Sequence, residues 1–322
     1  VRILALPIVV AVSLATSSLL AQSTGFGTAV ETKGPRLDKK QTSRYQIGMV
    51  VHAEGGPCQG MIGTASVPLE WPEQEVKVVA EDFSPYVKNV SYRMIGNTVR
   101  QMVVNMPAIP PGEDCRAVIT FEVTRSSILP PEDTSVFVLP NAKKLKSDVR
   151  IYLGPSPYIE PTHAKLKALA KELLAGKETA WEKVEALYDG TRERVTFENG
   201  PLKSASQTLK DGKGAAEELC SVFISLCRGS DIPARMVWVP QHCYAEFYLE
   251  DKEGKGYWIP CQVAGNREFG GILEHRPILQ KGDNFLVPER PRERQRYVAE
   301  FLTGSGGTPK CQFIRDAVDS GM

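Results

Sequence analysis

Seven cysteines and four histidines are the side chains of this 322-residue chain best suited to nucleophilic or acid–base chemistry. A thiol attacks a carbonyl carbon once its pKa is lowered and a neighbouring imidazole can take its proton. His52, His163, His242 and His275 are scattered and no Cys-x-x-Cys pair occurs, so no metal site is expected. Cys220 and Cys227 lie on one predicted helix, too far apart along it to bond each other, and read as small buried apolar residues. Cys243 adjoins His242 on a predicted strand, where successive side chains point to opposite faces. It is therefore poorly placed to hand its proton to that imidazole.

One longer run organises these residues: Gly212-Lys-Gly-Ala-Ala-Glu-Glu-Leu-Cys-Ser-Val-Phe-Ile-Ser-Leu-Cys-Arg-Gly-Ser-Asp-Ile-Pro-Ala-Arg235. It resembles the core of the transglutaminase-like superfamily, whose members open a helix with a nucleophilic Cys and end the motif on Gly-Ile-Pro-Ala-Arg. Gln241-His-Cys-Tyr-Ala-Glu246 resembles the family's His-x-(Trp/Tyr)-x-Glu strand, and Trp258-Ile-Pro-Cys-Gln262 its Trp-x-x-x-Asp strand. The resemblance runs over about residues 157–271. It implies a nucleophile at position 216, a base at His242 and an orienting group at Gln262. It also implies cysteine-dependent acyl transfer or amide hydrolysis through a thioester. Position 216, however, is Ala, which has no group to form the thioester, and Gln replaces the orienting carboxylate.

On this resemblance the expectation is a scaffold that keeps the base and lacks the nucleophile. Cys220, four residues further on, sits about 6 Å along the helix and is expected beneath Leu219 and Phe223, away from the helix terminus. Near-attack geometry does not tolerate that displacement. Trp238 and Tyr244 are expected on the cleft rim, and Arg235 is expected to pair with Glu246 or Glu218. Glu217 and Glu218 fall in the first helical turn, where acidic side chains favour the helix dipole. If His242 lies directly opposite Gln262 in a hairpin, Cys243 lies opposite Cys261, close to disulfide distance on the face away from the site.

The elements that must position these groups are legible from periodicity. Residues 43–153 alternate apolar and polar in short runs (Tyr45–Val51, Val99–Val104, Arg116–Val123) separated by Gly/Pro turns, which predicts an antiparallel β-sandwich domain. Within it, Cys58 and Cys115 could staple two strands. A proline-punctuated linker, Gly154–Pro161, introduces a transglutaminase-like α+β domain at 154–290. Its predicted helices begin at Thr162, Thr179 and Ala215, and its strands at Arg235, His242 and Tyr257. Residues 291–322 read as a C-terminal tail with a flexible Gly304–Gly307 turn.

The net charge of +1 gives no support to nucleic-acid or anionic-membrane binding. Residues 1–21 read as a secretory signal peptide and 22–42 as a polar flexible leader. The mature chain is thus expected to be exported (periplasm, cell surface or exterior), with no membrane association after signal cleavage and no cofactor. Such a compartment would favour disulfides. The first functional expectation is a catalytically inactive module that binds a peptide or protein ligand in the old cleft. The second is an active cysteine-dependent acyltransferase or amide hydrolase, natural or with its nucleophile removed by substitution.

Overall fold

The computed structural model describes residues 33–318, so the expected signal segment lies outside the described residues. The N-terminal half comprises β1 (Arg36–Val67), β2 (Gln74–Phe83), β3 (Asn89–Ile95), β4 (Val99–Ile109) and β5 (Asp114–Leu129). After β6 (Phe137–Val138) come α1 (Ser147–Arg150), α2 (Ala164–Leu174), α3 (Ala180–Arg194), β7 (Thr196–Phe197), α4 (Ala205–Asp211), β8 (Lys213–Gly214) and α5 (Ala216–Arg228). Then follow β9 (Ala234–Val239), β10 (His242–Asp251), β11 (Gly256–Gln262), β12 (Glu268–Phe269), β13 (Gln280–Lys281), β14 (Phe285–Leu286), β15 (Arg294–Gln295) and β16 (Phe301–Val318). The architecture is mixed α+β, built on a large antiparallel sheet.

That sheet runs β12-β11-β10-β9-β13-β4-β1-β5-β2, with β16 beside β1, β3 beside β4 and β6 beside β10. Two layers arise because β1 bends at a bulge between Glu54 and Cys58, where Gly55 takes a φ of +69°. Its first part pairs with β5 and its second with β4. The parts then meet across an apolar core of Ile47, Met49, Met61, Met102, Met106, Ile119 and Phe121. Gly63 shows how close they come: a Cβ there would lie 2.1 Å from the Met49 sulfur. The sandwich texture expected for 43–153 is therefore present as two layers of a bent sheet.

Three boundary expectations need correction. The leader was expected to reach residue 42, but β1 already starts at Arg36 because its alternation continues onto β5, with Leu37 opposite Ile128. The expected tail is β16, paired along β1 from Arg44 to Thr64. The linker at 154 is not a break in hydrogen bonding, since β13 bridges β4 and β9 and joins the halves into one sheet. Sequence periodicity reports that a segment is a strand, while long-range pairing decides which sheet it enters.

The helical layer explains how the site is held. Thr179 caps α3 with a reciprocal box: its hydroxyl accepts from the Glu182 amide, and the Glu182 carboxylate accepts from the Thr179 amide. Helix α5 is buried from Glu218 to Arg228, packed against β9 and β10 on one side and α2–α4 on the other. Its last turn is pinned by Arg228, which donates to both Asp283 carboxylate oxygens at 2.7 and 2.8 Å and to the Ala234 carbonyl. No helix among the described residues is long and apolar enough to cross a membrane.

Candidate functional site

Ala216 is the first residue of α5, behind an extended Ala215. The Glu218 carboxylate accepts from the Ala215 amide at 3.0 Å, which satisfies one of the orphan donors of the helix start. Beyond α5 and β9, the tight Pro240–Gln241 connection returns β9 into β10, with Gln241 in the left-handed region at a φ of +59°. That conformation is disfavoured for a residue with a β-carbon, and it sets His242 at the very start of its strand. Ala216 and His242 line a common cavity of about 400 Å³, walled further by Glu217, Trp238, Gln241 and Tyr297.

The His242 Nε2 lies 3.0 Å from the Gln262 Oε1. An amide oxygen only accepts, so Nε2 carries the proton and the Nδ1 lone pair is left to act as acceptor. Burial pushes the imidazole's pKa below its usual value, against the opposing effect of the Gln262 hydrogen bond. The ring is therefore neutral and basic in form near neutral pH. His242 and Gln262 are thus hydrogen-bonded to each other, and Ala216, at the start of α5, contributes only a methyl group to the cavity that His242 also lines. The arrangement presents hydrogen-bonding groups that a polar ligand could meet.

A carboxylate in place of Gln262 would stabilise imidazolium. Gln262→Glu, which keeps the side-chain length, is expected to raise the His242 pKa by about one pH unit, read from the imidazole proton resonances during an NMR titration. An unchanged or lowered value would show that the two side chains do not share the bond.

The structure relocates several expected site residues. Tyr244 was placed on the cleft rim, but it is fully buried and its hydroxyl accepts from Arg125 at 2.8 Å, beneath the other face of the sheet. Trp238 does line the cavity: its indole N–H donates to the Gly282 carbonyl at 2.8 Å and its ring meets Tyr297 edge-on at 5.1 Å. Arg235 pairs with Glu246 at 2.7 Å, one of its two expected partners.

Both proposed disulfides require correction, because all seven cysteines are free. Cys58 lies opposite Ile109, while Cys115 lies opposite Val51, on a different stretch of β1 beyond its bulge. In the second hairpin Ala245, not Cys243, opposes Cys261. The turn is centred one residue further along than expected: the Asp251 carboxylate accepts from the Glu253 and Lys255 amides, and Gly254 takes a φ of +84°. This moves the register by two, so Gln262 reaches His242 as a diagonal rather than a facing neighbour. Cys243 instead opposes Trp238, and the neighbouring Cys220 thiol, which points to the Cys243 carbonyl, together with burial raises the Cys243 pKa.

Sequence reading missed the groups that close the cavity from the C-terminal segment, Arg296, Tyr297 and Arg315. Arg296 pairs with Glu217, and Arg315 donates to the Tyr297 hydroxyl at 2.9 Å. Burial lifts the Glu217 carboxyl to about 7 even though Arg296 lowers it. The basic and aromatic run Arg294-Gln-Arg-Tyr297 in an otherwise Pro-rich, charged stretch was the signal available.

Comparisons with known proteins bear on the fold. The model of the transglutaminase-like superfamily matches residues 167–263, and that segment of the chain is a transglutaminase-like domain. A solved structure described as a "putative cysteine protease" from Cytophaga hutchinsonii shares the fold. Its TM-score is 0.54 at 16% identity, over 85% of this chain and 92% of that one. A second, a "putative protease" from Parabacteroides distasonis, aligns at 14% identity and a TM-score of 0.29, over 72% of this chain and 48% of that one. No curated protein matches the chain at a significant level.

Proposed function

We propose that this protein is a non-catalytic member of the cysteine-protease-like transglutaminase fold that uses its vacated cleft to bind a peptide or protein segment. The observation that carries the reading is Ala216 at the helix start, in the same cavity as a correctly oriented His242–Gln262 pair. The base and its support remain, and they offer hydrogen bonds to a backbone amide or carbonyl. The missing sulfur leaves no covalent step. Trp238 and Tyr297 add aromatic surface suited to an extended segment.

Cys220 gives little support to the active alternative. It is fully buried and directs its thiol to the Cys243 carbonyl at 3.9 Å. A substrate would have to unpack α5 from β10 to reach it.

The test is an NMR titration with a tryptic casein peptide pool, followed by mass spectrometry of the same pool. The His242 imidazole and Trp238 indole resonances are expected to shift saturably while the pool's mass profile stays constant over hours. New cleavage or cross-linked products, or no shift at either residue, would contradict the proposal.

A further inference from the structure

The hydrogen bond between His242 and Gln262 forms beyond the end of the strand pairing that would ordinarily support it. The β10–β11 ladder runs from Glu250 opposite Gly256 to Ala245 opposite Cys261 and stops there. Gln262 is the last residue of β11, and on its other side it meets only the two-residue β12, opposite Glu268. A strand end with so few main-chain bonds opens readily, and a side chain carried on it would swing with it.

Helix α3 supplies what the ladder does not. The buried Tyr188 hydroxyl donates to the Gln262 carbonyl at 2.6 Å and accepts from the Glu268 amide at 3.1 Å, so one oxygen ties the end of β11 to β12. Four residues on, and so on the same face of the helix, Arg192 donates to the Val263 and Gly265 carbonyls, each at 2.8 Å. It reaches the Gln262 carbonyl as well, at 3.4 Å. Among the described residues, the hydrogen bonds of Arg192 all go to main-chain carbonyls of this one segment, which turns at Gly265 with a φ of +91°. The guanidinium is a rigid fork of donors, able to hold several carbonyls at once where a lysine ammonium is a point charge on a flexible stem. It also stands over the Tyr188 ring, 5.5 Å from the centroid, so the two donors brace each other.

We propose that Tyr188 and Arg192 are the positioning residues of the cleft: from α3 they fix the end of β11 so that the Gln262 amide oxygen stays on the His242 Nε2–H. The inference rests on the His242–Gln262 hydrogen bond and not on the reading given to Ala216, and it stands whether or not the cleft takes a peptide.

The test is NMR of the His242 ring in the parent chain and in Tyr188→Phe, Arg192→Lys and Val184→Ala. Tyr188→Phe keeps the packed ring and removes only the hydroxyl, and Arg192→Lys keeps the charge and loses the fork. Val184→Ala is the control: Val184 is fully buried on the same helix, so its truncation loosens α3 without removing either donor. Two quantities are read, the water-exchange rate of the Nε2 proton and the ring pKa. In both Tyr188→Phe and Arg192→Lys the exchange is expected to quicken by about tenfold. The pKa is expected to fall by about half a pH unit, because the Gln262 bond that raises it is weakened. Glu274 and Arg276, the charged groups that also act on the ring, work in opposite senses and are untouched by all three substitutions. Val184→Ala is expected to leave both quantities at their parent values. Unchanged exchange and pKa in both Tyr188→Phe and Arg192→Lys would overturn the proposal. An equal response in Val184→Ala would also overturn it, since any loosening of α3 would then suffice.

Discussion

Replacing Ala216 with Cys is expected to create the fastest-reacting thiol in the chain, alkylated at pH 7 on the order of 100-fold faster than any cysteine it now contains. The reason lies in the contrast between the two environments. Position 216 opens α5 in a solvent-reachable cavity, where orphan amides and the helix dipole favour thiolate. Five of the existing thiols are held in the opposite state: Cys115, Cys227 and Cys261 are pushed up by burial, Cys243 by the neighbouring Cys220 thiol and by burial, and Cys311 to about 11 by burial alone. His242→Ala in the same background is expected to remove about tenfold of the acceleration, since the imidazole takes the thiol proton. Iodoacetamide labelling followed by peptide mapping reads both effects. Equal labelling of the parent and Ala216→Cys would mean that position 216 does not face the cavity.

The second large effect concerns stability. Glu246→Ala is expected to cost about 3–5 kcal/mol, because it strips the shared carboxylate from two buried cations at once. Arg235 and Lys281 are 7% and 4% exposed, so neither can turn to water without opening the sheet between β9 and β13. Urea unfolding followed by tryptophan fluorescence measures the loss, and a cost under about 1 kcal/mol, the range of surface pairs, would refute the buried-pair account.

The pH dependence follows from the same group. Burial alone would raise the Glu246 pKa, but Lys281 and Arg235 outweigh it and hold the carboxyl at about 2. Between that value and the unfolded carboxyl pKa of about 4.3 the unfolded chain binds more protons, so stability rises with pH. Its contribution is thus complete above the unfolded value and lost as pH falls towards 2. Glu217 acts in the other sense. Its folded pKa of about 7 means that the folded chain holds more protons between the unfolded value and 7, so stability declines as pH rises through that window.

How much of this was legible depended on the range of the interactions. Helices α2, α3 and α5 were found within a residue or two, because apolar spacing and local caps such as Thr179 and Glu182 specify them from within. The pairing of His242 with Gln262 came from the motif resemblance, not from spacing, and it is present in the structure. The hairpin register was missed by two residues because it turns on how the Asp251 carboxylate wraps the loop, a detail that turn composition does not reveal. Helix α4 was also missed: it is short, and its Ser204 cap and Gly212 terminus lie in a polar stretch with little apolar period. Most opaque were the partners from distant sequence, Glu73 and Lys281 beneath Glu246 and Arg296 over the cleft. A charged residue in a loop or a two-residue strand carries no mark of the carboxylate it will neutralise once folded.

The central claim, a cleft that binds without covalent chemistry, is tested most directly by the intact mass of the unaltered chain during incubation with a peptidyl vinyl sulfone. The account predicts a constant protein mass over hours under native conditions, with one added probe mass appearing in Ala216→Cys under the same conditions. A time-dependent adduct on the unaltered chain, mapped to Cys220 or Cys243 and lost in His242→Ala, would contradict it.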